Sequence, residues 1–295
     1  MRNASVIVHA ILAIGGLLLC YLVWTDTGPE VSESEVTLFE CDPDALSRAE
    51  LHEERKDVLL EVRRQGGEQT IWVTVTRRPE TGEPTTERFV GSSDAREYLS
   101  KIAPLRAVRS LGELSSAQLG ELELAEPSSR LELRCGDRSG SFSLGARSYG
   151  TGDRYVRTQG RGPVYLVASD RLQGLESAEL RLMQRELHTF ERREIVGLRL
   201  RGAGRERRLL QHNRLDEARA EWVDAADPER RNELYGNWLV RFDRLRVQSY
   251  LTESARPGAD LQGMSAAPQD VLRIDYEGEG NRTLGFVELA RVDAD

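Results

Sequence analysis

Apolar and polar positions alternate in short stretches of this chain, and the alternation recurs in its two halves. Val73 and Val75 are separated by a polar residue, and so are Leu198 and Leu200. A period of two residues is typical of half-buried antiparallel strands. The glycine-containing stretches "RQGGEQ" (64–69) and "RGAGRE" (201–206) predict turns between such strands. The pattern therefore predicts strand hairpins in both halves.

A helix is predicted next in each half. Ala95, Tyr98, Leu99 and Ile102 have the spacing of one helix face, with a cap at residues 92–94 and an end near Pro104. In the second half, Asp227 is predicted as the N-cap and Pro228 as the first helical residue. The apolar stripe of that helix is predicted to consist of Leu234, Trp238, Phe242 and Leu245, all facing the core.

Each half then returns to strands after a proline. "RLELRC" follows Pro127 and "VLRIDY" follows Pro268. The first half continues with a predicted hairpin around Gly160 and Gly162 and a helix that begins at Ser169-Asp170, which have no counterpart before Asp295. The predicted fold class is α+β: an N-terminal transmembrane helix and two tandem copies of an antiparallel strand/helix/strand module (38–187 and 188–295), the second copy truncated.

The N-terminus differs from the rest of the chain. Val6 to Trp24 carries no formal charge and just spans a hydrocarbon core of about 30 Å. We therefore predict a cytoplasmic tip (1–5), a transmembrane helix (6–24) and a linker (25–37). Arg2 precedes this stretch and no Lys or Arg follows in "TDTGPEVSESE", which favours export of the remaining chain. A cleaved signal peptide and a lipoprotein modified at Cys20 are the alternatives.

Composition and charge exclude one class of partner. The 295 residues carry a formal charge of -8. Nucleic-acid affinity comes mainly from neutralising phosphates, so no nucleic-acid partner is expected. Charged residues make up 31% of the chain, which indicates a water-soluble, globular body after the apolar stretch.

Residues with catalytic or metal-binding chemistry do not form a recognisable motif. The four histidines are scattered, and none of them forms a metal-binding pair by spacing. No phosphate loop, nucleophile motif or CxxC is present, so no catalytic residue, cofactor or metal is predicted. Cys41 and Cys135 are the candidates for a disulfide. The alternative is an inert buried thiol at Cys135 and an unrelated exposed thiol at Cys41.

The chain resembles the domain-of-unknown-function 4340 family. The resemblance rests on "LG…GDRYVR…GPVYLVASDRLQGL" (144–175), the following "AELRLMQRELHTFE" (178–191), the apolar N-terminus and the duplicated element order, and it extends from residue 1 to about 290. Glu123 departs from the family's pattern, which has glycine there. The resemblance implies a bitopic membrane protein, often encoded beside gliding-motility-type ABC transporters, with no established catalytic residues.

These observations predict a non-enzymatic, single-pass protein of the bacterial inner membrane, with a cytoplasmic N-terminus and a periplasmic body. Its expected role is that of an accessory or scaffold subunit of an ABC-type transporter or envelope complex, and the expected partner is a polytopic permease. A periplasmic ligand or glycan receptor is the alternative, favoured by a concave pocket between the two copies. An enzyme would require converging polar groups with perturbed pKa values.

Overall fold

The computed structural model describes residues 14–17, 21, 35–65, 67–158, 162–216, 218–250 and 271–290. Among these residues, strands account for 45% and helices for 22%. The described strands form three antiparallel sheets of two, nine and six strands.

The first two sheets contain the strands that precede residue 168. These are β1 (Val36–Phe39), β2 (Leu46–His52), β3 (Lys56–Gln65), β4 (Glu68–Arg77), β5 (Thr85–Val90), β6 (Leu105–Ala107), β7 (Arg109–Gly112), β8 (Ser129–Cys135), β9 (Arg138–Arg147), β10 (Arg154–Thr158) and β11 (Val164–Val167). β1 pairs with β6, and the nine-stranded sheet has the order β5-β4-β3-β2-β8-β9-β10-β11-β7.

The six-stranded sheet follows. Its strands are β12 (Gly197–Gly202), β13 (Arg205–His212), β14 (Glu221–Asp224), β15 (Asp227–Arg231), β16 (Leu272–Glu277) and β17 (Thr283–Leu289). The order β15-β14-β13-β12-β16-β17 repeats the order β5-β4-β3-β2-β8-β9 of the larger sheet. The exact boundaries of the two predicted copies stay a prediction.

Five labelled helices lie among the described residues. They are α1 (Ser93–Ile102), α2 (Ser116–Glu121), α3 (Ser169–Glu176), α4 (Ala178–Arg181) and α5 (Glu233–Phe242), and short 3₁₀ turns span Pro43–Ala45, Arg192–Glu194 and Glu279–Asn281. In α1 the four residues of the predicted apolar face are all buried, so that prediction is confirmed. The predicted hairpin of β10 and β11 and the helix that starts at Ser169 are confirmed as well.

The main core lies between one face of the nine-stranded sheet and the helices α1 and α3. Leu51, Phe89 and Leu131 are fully buried on that face. α1 packs against α3, and the Tyr98 hydroxyl donates a hydrogen bond of 2.7 Å to the Arg171 carbonyl. The opposite face of the sheet carries charged and polar side chains such as Glu50, His52 and Glu132. This face remains open to solvent.

The predicted α+β class with an N-terminal transmembrane helix is wrong. The fold is mostly β, because strands of up to ten residues alternate in three sheets while the labelled helices have ten residues or fewer. The two-residue alternation was correctly interpreted as strands, but the helical share of the fold was overestimated.

The membrane prediction is also corrected. None of the helices among the described residues is long and apolar enough to cross a membrane. The single-pass topology and the inner-membrane location are therefore not retained. Of the predicted span 6–24, the structure describes residues 14–17 and 21, which are helical; the remainder lies outside the described residues.

The start of the second predicted helix is wrong, and of its predicted apolar stripe only Phe242 is buried. Asp227 and Pro228 belong to β15, an edge strand where a missing backbone N–H is tolerated. The helix α5 begins at Glu233 instead, and the Asn232 side chain accepts a hydrogen bond from the Leu234 backbone N–H. Trp238 is 36% exposed, because the buried side chains of α5 are Leu239 and Phe242.

Candidate functional site

The apolar face of the six-stranded sheet is covered over only part of its area. The helix α5 packs against β14 and buries Leu239 and Phe242. Elsewhere on the same face, Phe190 covers Tyr276, with the ring centroids 4.9 Å apart. Beyond these two covers, four apolar side chains of the face are only half buried, whereas Ile274 between them is fully buried. The four are Leu200, Leu272, Val287 and Leu289.

The nine-stranded sheet shows how the same kind of face is covered completely. There α3 contacts β2 and β3, and Leu51, Leu131 and Phe142 are at most 2% exposed. In the part of the chain that the structure describes, no helix packs extensively on β16 or β17. The difference leaves an apolar area on the smaller sheet that the larger sheet does not have.

We call this area the docking surface and define it as Leu200, Val271, Leu272, Val287 and Leu289. Leu200, Leu272, Val287 and Leu289 share one face because Leu200 and Val287 are both paired with Ile274, and Leu272, two residues before Ile274, is paired with Leu289. Val271 immediately precedes β16 and lines the groove at the end of this face. A groove of about 670 Å³ lies at its end. The groove is lined in addition by charged side chains, which are those of Arg205, Glu206 and Arg207. The surface thus combines an apolar floor with a charged rim.

A second concave feature lies beside residues 186–191, in the segment that connects the nine-stranded sheet to the six-stranded sheet. The chain after α5 (residues 243–250) packs back against this segment. The Val247 backbone N–H donates a hydrogen bond to the Arg185 carbonyl at 2.8 Å, and the Tyr250 hydroxyl donates one to the Gln184 carbonyl at 2.9 Å. Between the segment and the end of α5 is a cleft of about 260 Å³. It is lined by residues 186–191, Phe242, Asp243, Leu245 and Arg246.

The cleft contains polar groups whose bonding is incomplete. The His188 ring stacks on the Phe190 ring, with the ring centroids 4.2 Å apart. It also makes an edge contact with the Tyr276 ring, with the centroids 5.1 Å apart. Within the described structure, His188 Nδ1 and the nearby Tyr276 hydroxyl are buried without a hydrogen-bond partner. Burial raises the pKa of Asp243, although Arg192 and His188 act in the opposite direction. Such a cleft can hold a small polar molecule, since unpaired buried polar groups are costly.

The raised pKa of Asp243 predicts a pH-dependent effect of the Asp243→Asn substitution. Burial penalises the ionised carboxylate in the folded state. At neutral pH the penalty is fully present, so the variant should have a higher free energy of unfolding than the wild type. The advantage should shrink as the pH falls through the raised folded pKa towards the ordinary value for aspartate, about 3.9.

Urea unfolding at several pH values measures this effect. The exposed Asp137→Asn substitution removes the same charge without altering the cleft and serves as the control. A lower stability of Asp243→Asn at neutral pH would contradict the prediction.

The two cysteines predicted as disulfide candidates lie together. The structure joins Cys41 and Cys135 through a disulfide, with their Cα atoms 5.9 Å apart. Both side chains are buried, at 4% and 9% exposure. Cys135 ends β8 opposite Leu46 of β2, and Cys41 precedes the 3₁₀ turn Pro43–Ala45 that leads into β2. The bridge connects the N-terminal segment to the middle of the nine-stranded sheet.

Sequence analysis did not single out one group of side chains that could hold a metal ion. In the described parts of the chain, ligand atoms of Glu50, His52 and Glu132 all lie within 4.8 Å of one another. Glu50 and His52 form an E-x-H pattern on a strand, which was a usable signal because alternate residues of a strand share a face. Glu132 is far away in the sequence and reaches the group through the pairing of β2 with β8.

Comparison with known proteins gives a family and no function. A family model described as "Domain of unknown function (DUF4340)" matches residues 92–263, a narrower range than the resemblance covers. The matched range begins just before α1 and continues beyond α5. No curated protein and no solved structure matches the chain.

Proposed function

Since the chain belongs to the DUF4340 family, whose description states no activity, we propose a function from its geometry: it is a non-enzymatic accessory or scaffold protein that holds a partner protein on the docking surface. The observation that carries this proposal is the half-buried apolar area on β12, β16 and β17. Apolar surface that is left in contact with water favours association, at roughly 25 cal/mol per Å² buried.

The helix that covers the apolar face of the nine-stranded sheet indicates which kind of secondary structure the partner supplies. There the apolar face is closed by α3, whose buried residues include Leu172 and Leu175. An amphipathic helix with a comparable apolar stripe would close the docking surface in the same way. The charged rim around Arg205 and Arg207 suits acidic residues beside that stripe. The family resemblance suggests an ABC-type permease as the protein that carries this helix.

Site-specific photocrosslinking in the native host tests the proposal. A benzophenone amino acid at Val271, which is 39% exposed, should form an adduct with one partner, to be identified by mass spectrometry. The same probe at the fully exposed Tyr149, in the turn between β9 and β10, is the control position and should not capture that partner.

A matched pair of substitutions on β17 shows whether the apolar face is responsible. Leu289→Asp places a charge on the docking surface, and Phe286→Asp places one on the opposite face of the same strand. Leu289→Asp should reduce the adduct at least tenfold, and Phe286→Asp should leave it in place. Equal capture from Tyr149, no adduct from Val271, or an undiminished adduct in a folded Leu289→Asp variant would each overturn the proposal.

The second candidate function is that of a receptor for a small polar ligand, which the unpartnered His188 Nδ1 in the cleft favours. A ligand that binds there should raise the unfolding temperature of the wild type. His188→Phe keeps an aromatic ring beside Phe190 but removes the ring nitrogens, so the ligand should no longer stabilise this variant. A ligand that stabilises both proteins equally binds elsewhere.

A further inference from the structure

We propose that Glu50, His52 and Glu132 bind a divalent transition-metal ion of the zinc class on the open face of the nine-stranded sheet. The proposal is independent of the docking surface, which lies on the other large sheet. It rests on the positions of the three side chains, on the partners that orient them, and on their access to solvent.

The backbone brings the three residues together in the middle of the sheet. β2 and β8 are neighbours in the sheet, and Glu50 is directly paired with Glu132. His52 lies two residues after Glu50 and therefore on the same face. The opposite face of these strands is the core, where Ala49 and Leu51 are fully buried. A site on two central strands is held more rigidly than a site on loops.

The distance between the first two ligand atoms fits a zinc ion. His52 Nε2 lies 3.3 Å from Glu50 Oε1. Two ligand atoms that are each about 2.1 Å from a tetrahedral zinc ion are about 3.4 Å apart. A ligand atom of Glu132 lies within 4.8 Å of the other two, so a small rotation of its side chain completes the set. Solvent water can supply the fourth ligand.

The other nitrogen of His52 is engaged in the way that metal-binding histidines require. His52 Nδ1 lies 3.2 Å from Asp57 Oδ1, and Asp57 is itself held by the Arg78 guanidinium. A carboxylate that accepts the Nδ1 proton fixes the tautomer in which Nε2 carries the free lone pair. That lone pair lies on the side of Glu50.

The carboxylates are oriented in a similar manner. Glu50 Oε2 accepts hydrogen bonds from Arg48 at 2.6 and 2.9 Å, which leaves Oε1 for the shared space with His52. Arg130 Nε lies 3.0 Å from Glu132 Oε1 and holds that carboxylate at one oxygen. Outer partners of this kind position metal ligands and raise affinity. A divalent ion between them would also relieve the repulsion of two glutamates paired across strands.

The donor set and the exposure select the metal. One imidazole and two carboxylates suit zinc and its neighbours in the first transition row, whereas magnesium and calcium prefer oxygen ligands alone. The side chains of His52 and Glu132 are 31% and 42% exposed, so an ion can enter from solvent. If His52 is protonated, metal binding releases the Nε2 proton to water.

Titration of the full chain with Zn²⁺ and Co²⁺ tests the proposal. A Cys20→Ser background removes the cysteine outside the disulfide, so that no thiol competes for the ion. Calorimetry should show one saturable Zn²⁺ site, and Co²⁺ should give the visible absorption of a low-symmetry nitrogen–oxygen site. His52→Gln and Glu132→Gln should each weaken binding by at least tenfold. The control is His212→Gln, which removes a histidine from β13 of the six-stranded sheet and should leave the Zn²⁺ affinity unchanged.

Two outcomes of this titration would overturn the metal site. The contacts of His52 also fit a protonated imidazole that forms ion pairs with Glu50 and Asp57. In that case Zn²⁺ would not bind stoichiometrically, or His52→Gln would leave the affinity unchanged while lowering stability. Unfolding curves of each variant without metal separate loss of the site from loss of the fold. Either result would overturn the metal site and would leave the docking surface untouched.

Discussion

The Cys41→Ala/Cys135→Ala double variant is expected to unfold with a free energy about 2–5 kcal/mol below that of the wild type. The two cysteines are separated by 94 positions in the sequence, so the disulfide restricts a large loop in the unfolded chain. In the chain-entropy account, loops of about 100 residues contribute about 4.7 kcal/mol, and measured values are usually lower. Urea unfolding with and without a reducing agent measures the difference.

The controls separate loop closure from packing. Reduction of the wild type should reproduce most of the loss in the double variant, because both then lack the bridge. The double variant itself should not respond to the reducing agent, and neither should Cys20→Ser differ from the wild type. Labelling of Cys41 and Cys135 in the denatured, unreduced protein would show that the bridge does not form in solution, and the prediction would then be wrong.

The Gly174→Ala substitution in α3 is expected to destabilise the protein by about 1–3 kcal/mol. A Cβ atom on Gly174 would lie 2.3 Å from the Tyr98 ring, in the contact between α1 and α3. Tyr98 is 4% exposed and its hydroxyl is bonded to the Arg171 carbonyl, so the ring has little room to move. The two helices must therefore separate, which weakens the packing over Leu172 and Leu175.

Gly236→Ala in α5 is the matched control. A Cβ atom there would meet nothing within 4 Å. Alanine has the higher helix propensity, so this variant should gain about 0.5–1 kcal/mol. Opposite signs for the same chemical change in two helices are the expected outcome of thermal or urea unfolding. No loss at Gly174 would contradict the described packing of α1 on α3, and a loss at Gly236 would contradict the open surroundings of that position in α5.

Elements with a strong local pattern were predicted from the sequence. The face of α1 is an example, because Ala95, Tyr98, Leu99 and Ile102 are spaced for one side of a helix and all are buried. The alternation in β8 is another, with Leu131, Leu133 and Cys135 all on the core face. Local backbone preference and burial agree in these elements, and such agreement makes a pattern reliable.

Elements where local preference and tertiary contacts disagree were not predicted. Asp227-Pro228 has the composition of a helix start, but pairing with β14 draws it into β15. Trp238 has the spacing of a core residue, yet α5 buries Leu239 in its place, beside Phe242, which was predicted correctly. Hydrogen bonds to a neighbouring strand outweigh a capping preference of about 1 kcal/mol, and the sequence does not reveal that a neighbour is present.

The sequence by itself determined the alternating strands, the first helix with its buried face, and the repeated order of elements, because each depends on residues within a few positions of one another. Only the tertiary structure decided the two candidate sites. Glu132 meets Glu50 through the pairing of β8 with β2, and Leu200 stays half buried because no described helix covers its end of the sheet. Both depend on contacts between distant segments, which the spacing of residues along a chain does not encode.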